Sequence, residues 1–399
     1  MQNKAKTATQ KGRGKWMMAG LAATTAAASL GLSALLAGSA AAAPATSGPH
    51  VASNSGGGGG VRLPASGVES PPSGSVTETG STLLYPLWNI WVPAFQEKYP
   101  HVSITTAGTG SGTGISEAAS GTVDIGSSDA YLSPSQNQSD PTLKNIPLAI
   151  SAQVVAYNVP GVSAHLKLSG MVLSEIYQGK ITNWNDQAIA SANPGVTLPN
   201  MPIVTLHRSD SSGDTFIFTQ YLSKQDASGW GSKISYNTSV PWPSTSGALA
   251  EQGNGGMVSG CKATPGCVAY VGISYLSQLL GDGLNYAELQ NGKGHYVMPT
   301  AASIEAEASF YTKKTPASGT ISLINGPVAA GYPIVNYEYA IVNTHQSSST
   351  TAKDIRSLLE WAVNAKDGNS AQYLDQVNFQ PLPARQIGAS LKQIETISG

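Results

Sequence analysis

The segment His207-Arg-Ser-Asp-Ser-Ser-Gly-Asp-Thr-Phe216 sets a fixed cation, hydroxyls, two carboxylates and a glycine where a strand becomes a helix. Residues 202 to 207 read as a short buried strand, and Thr215 to Leu222 reads as a helix whose first turn begins near Ser212. The free amides of that first turn would point at whatever anion Arg208 attracts. An ordinary Ser N-cap beside a surface Arg-Asp pair is the competing reading of this stretch alone.

Further segments carry similar chemistry. Thr79-Gly-Ser-Thr-Leu-Leu-Tyr-Pro86 brings hydroxyls and a glycine to the start of a helix, and Leu84, Leu87, Trp88, Trp91, Val92 and Phe95 follow at core spacing. Gly108-Thr-Gly-Ser-Gly-Thr-Gly114 lies between an alternating strand and a short helix expected from Ile115; its glycines let amides approach a ligand, and Ser111 adds a hydroxyl. It is not a dinucleotide fingerprint, because Thr113 stands where the third glycine is required, and no P-loop motif occurs. A strand-like piece from Thr122 ends in Asp129, by itself a turn or cap residue.

The elements that must position these groups alternate. Strands are expected at 101–107, 122–128, 146–158, 202–207, 267–272 and 334–343, and helices near 84–98, 114–120, 170–178, 213–223 and 353–366. This is an α/β chain. At 399 residues it has room for two sizeable cores, with 11% charged residues and 44 glycines. Lys4, Lys6, Lys11, Arg13 and Lys15 precede an apolar stretch from Trp16 to Ala37 and A-x-A cleavage sites at 39–43, so residues 1–43 are expected to be a signal peptide cut after Ala42. Its Gly, Ser and Thr content argues against a spanning anchor. Residues 44–75, with Gly56 to Gly60 and Pro71-Pro-Ser-Gly74, read as a flexible spacer. Removing the signal leaves 17 basic against 23 acidic residues, which argues against nucleic acid and makes local donors, rather than a long-range field, responsible for holding any anion. Cys261 and Cys267 read as a disulfide loop in an exported protein. The six histidines show no metal spacing, no cofactor motif is present, and His207 should point to the face of its strand opposite Arg208.

In this order and spacing, and together with Gly253-Asn-Gly-Gly-Met-Val258, Cys261-Lys-Ala-Thr-Pro-Gly-Cys267 and Tyr332-Pro-Ile-Val-Asn-Tyr-Glu-Tyr-Ala340, the chain from about Glu78 onward resembles the PstS family, the phosphate-binding proteins of bacterial phosphate ABC transporters, in particular its actinobacterial branch. The resemblance implies a two-lobed periplasmic binding protein of type 2, with lobe one at 76–154 plus 335–399, lobe two at 155–334, and the long apolar runs Ile146–Val159 and Ile334–Val342 crossing between them. It implies that Thr82, the backbone at Leu83, Ser111, Asp129, Arg208, Ser212 and Gly213 surround one phosphate, with Asp210 holding Arg208. Asp214 departs from the family, where many members carry Thr; it would either contact the anion or be a helix N-terminal acid turned to solvent. If Asp129 and Asp214 both face the anion, singly charged phosphate would suit the site best. The implied function is non-catalytic capture of phosphate for a membrane permease. The alternatives are a phosphatase using Ser111 or Ser212, a secreted adhesin or signalling protein, and a binder of another tetrahedral oxyanion. In the resembling branch the spacer follows a lipid-modified cysteine; this N-terminal segment carries none, so a secreted or differently retained protein is expected.

Overall fold

The computed structural model describes residues 74–399; the expected signal peptide and all but the last two residues of the expected spacer lie outside the described residues. In chain order the elements are β1 (Gly74–Gly80), α1 (Tyr85–Lys98), β2 (Val102–Thr105), α2 (Ser111–Ser120), β3 (Ile125–Ser128), α3 (Pro134–Ser139), β4 (Leu143–Tyr157), β5 (Lys167–Leu168), α4 (Gly170–Tyr177), α5 (Gln187–Ala190), β6 (Val204–Arg208), α6 (Gly213–Gln225), β7 (Leu249–Glu251), α7 (Gly253–Ala263), β8 (Cys267–Gly272), α8 (Leu276–Gly281), β9 (Asn285–Tyr286), β10 (Glu288–Gln290), β11 (Tyr296–Val297), α9 (Ala301–Tyr311), β12 (Val335–Asn343), α10 (Ser349–Val363), α11 (Ala371–Leu374) and α12 (Ala384–Ile394).

The main sheet runs β2-β1-β3-β12-β4-β8-β6-β7, with β9 also on β4. β1, β2 and β3 are mutually parallel, as are β6, β7 and β8. The two parallel sets are joined through β4 and β12, which pair antiparallel from Val335↔Ala152 to Asn343↔Leu143 with a bulge between Glu338 and Tyr339. The far end of β4, Gln153 to Tyr157, pairs with β8 instead. The two sets are thus bridged by a pair of strands, β12 against β3 and β4 against β8. β4 is buried almost throughout, which is why its sequence reads as a continuous apolar run rather than as alternation.

The helices cover the sheet with apolar faces. Leu87, Trp88, Trp91, Val92 and Phe95 of α1 are buried, so the aromatic stripe is core. Trp88 meets Trp91 edge-to-face at 5.3 Å, and Phe95 meets Trp361 of α10 at 5.6 Å. The indole N–H groups find partners: Trp91 donates to the Gly368 carbonyl at 2.9 Å and Trp88 to Ser127 Oγ at 2.8 Å.

Three differences from the sequence expectations have local causes. β1 begins at Gly74, inside the expected spacer, because a strand with Thr77, Glu78 and Thr79 carries almost no apolar signal. The helix expected from Ile115 begins at Ser111, with Gly110 at φ +98° as its N-cap, so half of the glycine-rich loop is the first turn of α2. Gly112 is needed there: a Cβ would sit 2.0 Å from Ser211 Oγ. α7 was hidden by Gly253-Asn-Gly-Gly256, which reads as a turn.

Cys261 at the end of α7 and Cys267 at the start of β8 are joined by a disulfide, both fully buried. The closed loop is short, so replacing both cysteines by serine is expected to lower stability by about 2 kcal/mol in urea unfolding, with the denaturant dependence unchanged. A double variant as stable as the wild type would show the bond to be dispensable.

Burial pushes Glu78 and Glu307 up to about 7. Both hold protons in the native state that the unfolded chain releases near the ordinary glutamate range. From there to neutrality the native state binds more protons, so this stabilisation is lost as pH rises through about 7. His207, lowered by burial, opposes this with a single group. Calorimetric unfolding in phosphate-free buffer should therefore show a lower midpoint at about pH 8 than at about pH 5, and a higher one would contradict it.

Candidate functional site

Parallel strands fed into helices place their carboxyl ends side by side, the usual location of a ligand in such sheets. Here Ser81 to Leu84 follow β1, Asp129 follows β3, Arg208 ends β6, and Asn254 follows β7. The helices that begin beside them, α2 at Ser111, α6 at Gly213 and α7 at Gly253, have first-turn amides carrying partial positive charge. The residues expected to surround the anion lie at these strand ends and helix starts. Thr82, Leu83, Ser111, Asp129, Arg208, Ser212 and Asp214 are all buried, the most exposed being Thr82 at 7%.

Arg208 is fixed from several directions. Its backbone N–H donates to the Tyr270 hydroxyl at 2.9 Å. Nε donates to Asp210 Oδ1 at 2.7 Å, Nη2 donates to Asp210 Oδ2, and Nη1 donates to Asp214 Oδ2 at 2.8 Å. A guanidinium carries five N–H groups, so this leaves one on each terminal nitrogen for an anion. Burial would lower its pKa, but the Asp210 and Asp214 carboxylates raise it. Asp210 also accepts from the Gly253 amide at 3.1 Å; burial opposes its ionisation, yet Arg208 holds it below the ordinary carboxylate range. His207 faces away, its ring stacked at 5.0 Å on Trp242.

Asp214 is not turned to solvent. At 1% exposure it accepts from Arg208, from Asn254 Nδ2 at 2.7 Å and from Gln153 Nε2 at 3.0 Å. Burial raises its pKa and Arg208 works against that rise. Asp129 accepts from Ser81 Oγ on one oxygen and from Ser111 Oγ at 3.3 Å on the other, while its backbone N–H donates to Ser111 Oγ at 3.2 Å. Burial, and then the nearby Asp214 charge, push Asp129 up to about 7.

The segments interlock. The Gly112 amide donates to the Ser211 carbonyl at 2.9 Å, and Asn254 Nδ2 donates to Thr82 Oγ1 at 3.0 Å. Gly213 lies so close to the β3 end that a Cβ there would stand 2.4 Å from Asp129 Oδ2 and 2.5 Å from Ser111 Oγ. Ser212 caps α6 by accepting from the Thr215 amide at 3.3 Å, and Ser81 Oγ accepts from the amides of Leu83 and Leu84 at 3.1 and 2.9 Å.

Sequence reasoning missed Ser81, Gln153, Asn254 and Glu338. Asn254 was masked by the glycines around it. Gln153 and Glu338 sit inside apolar runs, and the available signal was their pairing at two-residue spacing with Ser151 and Asn336, which puts polar side chains on one face of each buried strand.

The chain matches the PBP superfamily domain over residues 65–366. A Phosphate-binding protein PstS from Xylella fastidiosa is 32% identical over 333 residues, covering 82% of this chain and 87% of that one. Another Phosphate-binding protein PstS, from Methanocaldococcus jannaschii, is 33% identical over 328 residues, covering 77% and 82%. Among solved structures, a phosphate-binding protein from Stenotrophomonas maltophilia shares the fold with a TM-score of 0.63 at 21% identity, covering 80% of this chain and 93% of that one. With the superfamily domain matched across most of its length and relatives 32 and 33% identical over 82% and 77% of it, the chain belongs to the PstS family of phosphate-binding proteins.

Proposed function

We propose that this protein is an exported receptor that encloses one inorganic phosphate and delivers it to the membrane permease of an ABC transporter. The observation that carries the reading is the single buried guanidinium of Arg208 set among the Asp129, Asp210 and Asp214 carboxylates and helix N-termini. A fully ionised oxyanion would meet unrelieved repulsion there. Phosphate near neutral pH still carries protons, which an ionised carboxylate accepts as hydrogen bonds. The names of the PstS relatives support the same ligand.

In this reading the remaining Arg208 N–H groups, the amides of Leu83, Gly213 and Asp214, and the hydroxyls of Thr82, Ser111 and Ser212 donate to the anion, with Ser111 giving up its bond to Asp129 and Leu83 its bond to Ser81 as the ligand binds. Asp129 accepts from it, Asp210 orients Arg208, and Asp214 both orients Arg208 and reads the ligand's proton. Residues 76–154 plus 335–399 and residues 155–334 act as two lobes hinged at β4 and β12. Since the clustered residues are buried, the ligand enters when the lobes part and is sealed in when they close. The reading assigns the protein no catalytic step: the carboxylate that meets Ser111 is used for recognition, and His207 is engaged with Trp242.

Charge-assisted hydrogen bonds contribute roughly 1.5 to 3 kcal/mol each. Arg208→Ala should therefore weaken phosphate binding by at least about tenfold in equilibrium dialysis, while Arg356→Ala leaves it unchanged. An Arg208→Ala protein of unaltered affinity would refute the reading.

A further inference from the structure

Behind Asp129 stands a second carboxyl that the recognition scheme above does not use. In the antiparallel pairing of β12 with β3, Tyr339 faces Ser128, so the preceding Glu338 stands opposite Asp129. The bulge against β4 falls at the same place, between Glu338 and Tyr339, and tightens the local twist there. Glu338 is fully buried. Its Oε1 accepts from Ser151 Oγ at 2.5 Å and from Asn336 Nδ2 at 2.9 Å. Its Oε2, also buried, receives no N–H or O–H donor, and the carboxyl set opposite it across the strands is that of Asp129.

Two carboxyl groups can share a hydrogen bond only with a proton between them, and a buried pair of like charges in contact cannot both ionise. Geometry assigns that proton. Asp129 lies beside Arg208, accepts from two serine hydroxyls, and adjoins the N-termini of α2 and α6, all of which favour its ionised form. Glu338 lies on β12 between β3 and β4, and the ion pairs of Arg208 go to Asp210 and Asp214 instead. The charged and titratable groups around the pair are Arg208 and Asp214 on the ligand side and Tyr339 beside Glu338 on β12.

We propose that Glu338 is a permanently neutral carboxylic acid that donates its proton to Asp129 and so keeps Asp129 available as the ionised acceptor that tells phosphate from sulfate. This rests on the phosphate reading above and adds a positioning residue to it. Without the donor, burial and Asp214 would leave a proton on Asp129 to higher pH. A protonated Asp129 donates rather than accepts, and sulfate then becomes a tolerable ligand.

The test uses Glu338→Gln, whose amide can still donate to Asp129, and Glu338→Leu, which cannot. Selectivity for phosphate over sulfate is measured by competition from about pH 6 to about pH 8. Glu338→Gln should match the wild type within about twofold throughout. Glu338→Leu should fall about tenfold below the wild type in selectivity near neutral pH and regain it as pH rises further. Retained selectivity in Glu338→Leu, or loss in both variants, would overturn the assignment, whereas a wild type that binds no phosphate would fail the broader reading instead. Should Glu338→Leu not fold, carbon-13 spectra of glutamate-labelled protein decide alone. One glutamate carboxyl should remain at the protonated-acid position at about pH 9, above the range in which Glu78 and Glu307 titrate, in the wild type and vanish in Glu338→Gln. If Glu338→Gln removes a signal of an ionised carboxylate, Glu338 is not the acid proposed.

Discussion

The buried contact of Arg208 with Asp210 and Asp214 is the constraint around which the site is organised. A guanidinium removed from water needs partners for its donors, and here two carboxylates supply them, one clamping Nε and Nη2 and the other meeting Nη1. Those carboxylates need donors in turn. The Gly253 amide answers Asp210, and Asn254 and Gln153 answer Asp214. Through these bonds the end of β6 is tied to the start of α7 and to β4, and through Thr82 and Asn254 to the end of β1. Removing the cation would leave carboxylates buried together without compensation.

The sheet makes this concentration of charge tolerable. Because the carboxyl ends of β1 and β3 in one parallel set and of β6 in the other meet the same cluster and α2, α6 and α7 start there, amide dipoles converge on the same volume and offset part of the negative charge. The crossover strands add buried polar residues, Ser151 and Gln153 on β4 and Asn336 and Glu338 on β12, bonded to one another or to Asp214. The segment that joins the two parallel sets therefore also supports the groups that face the anion. Any change at the site is mechanically close to the strands on which the two sets could move.

Much of this was legible in the sequence because the relevant residues sit at element boundaries that punctuate themselves. Arg208 ends a β-branched run, Ser212 caps the next helix, and Trp88, Trp91 and Phe95 recur at helical spacing. What stayed hidden has physical reasons. Gly112 and Gly114 lie in a helix because Ser211 and the β1 and β3 backbones crowd them, a tertiary demand that overrides their local preference. β1 is polar because its Glu78 and Thr79 bond across to Thr106, Thr109 and the Ala107 carbonyl. From its position alone Asp214 was open to either role, anion contact or solvent-facing helix acid, and the approach of Asn254, 40 residues away, makes it a buried acceptor. Glu338 could be suspected from a charge inside an apolar run, but its partner depends on strand register.

Selection of the anion by its own protons is the central claim, and it is tested most directly by calorimetric titration of the wild type and Asp129→Asn with phosphate and with sulfate at neutral pH. The account predicts one phosphate per chain and no measurable sulfate binding for the wild type, with sulfate binding appearing in Asp129→Asn, where an amide donor replaces the repelling carboxylate. A wild type that binds sulfate as tightly as phosphate would contradict it.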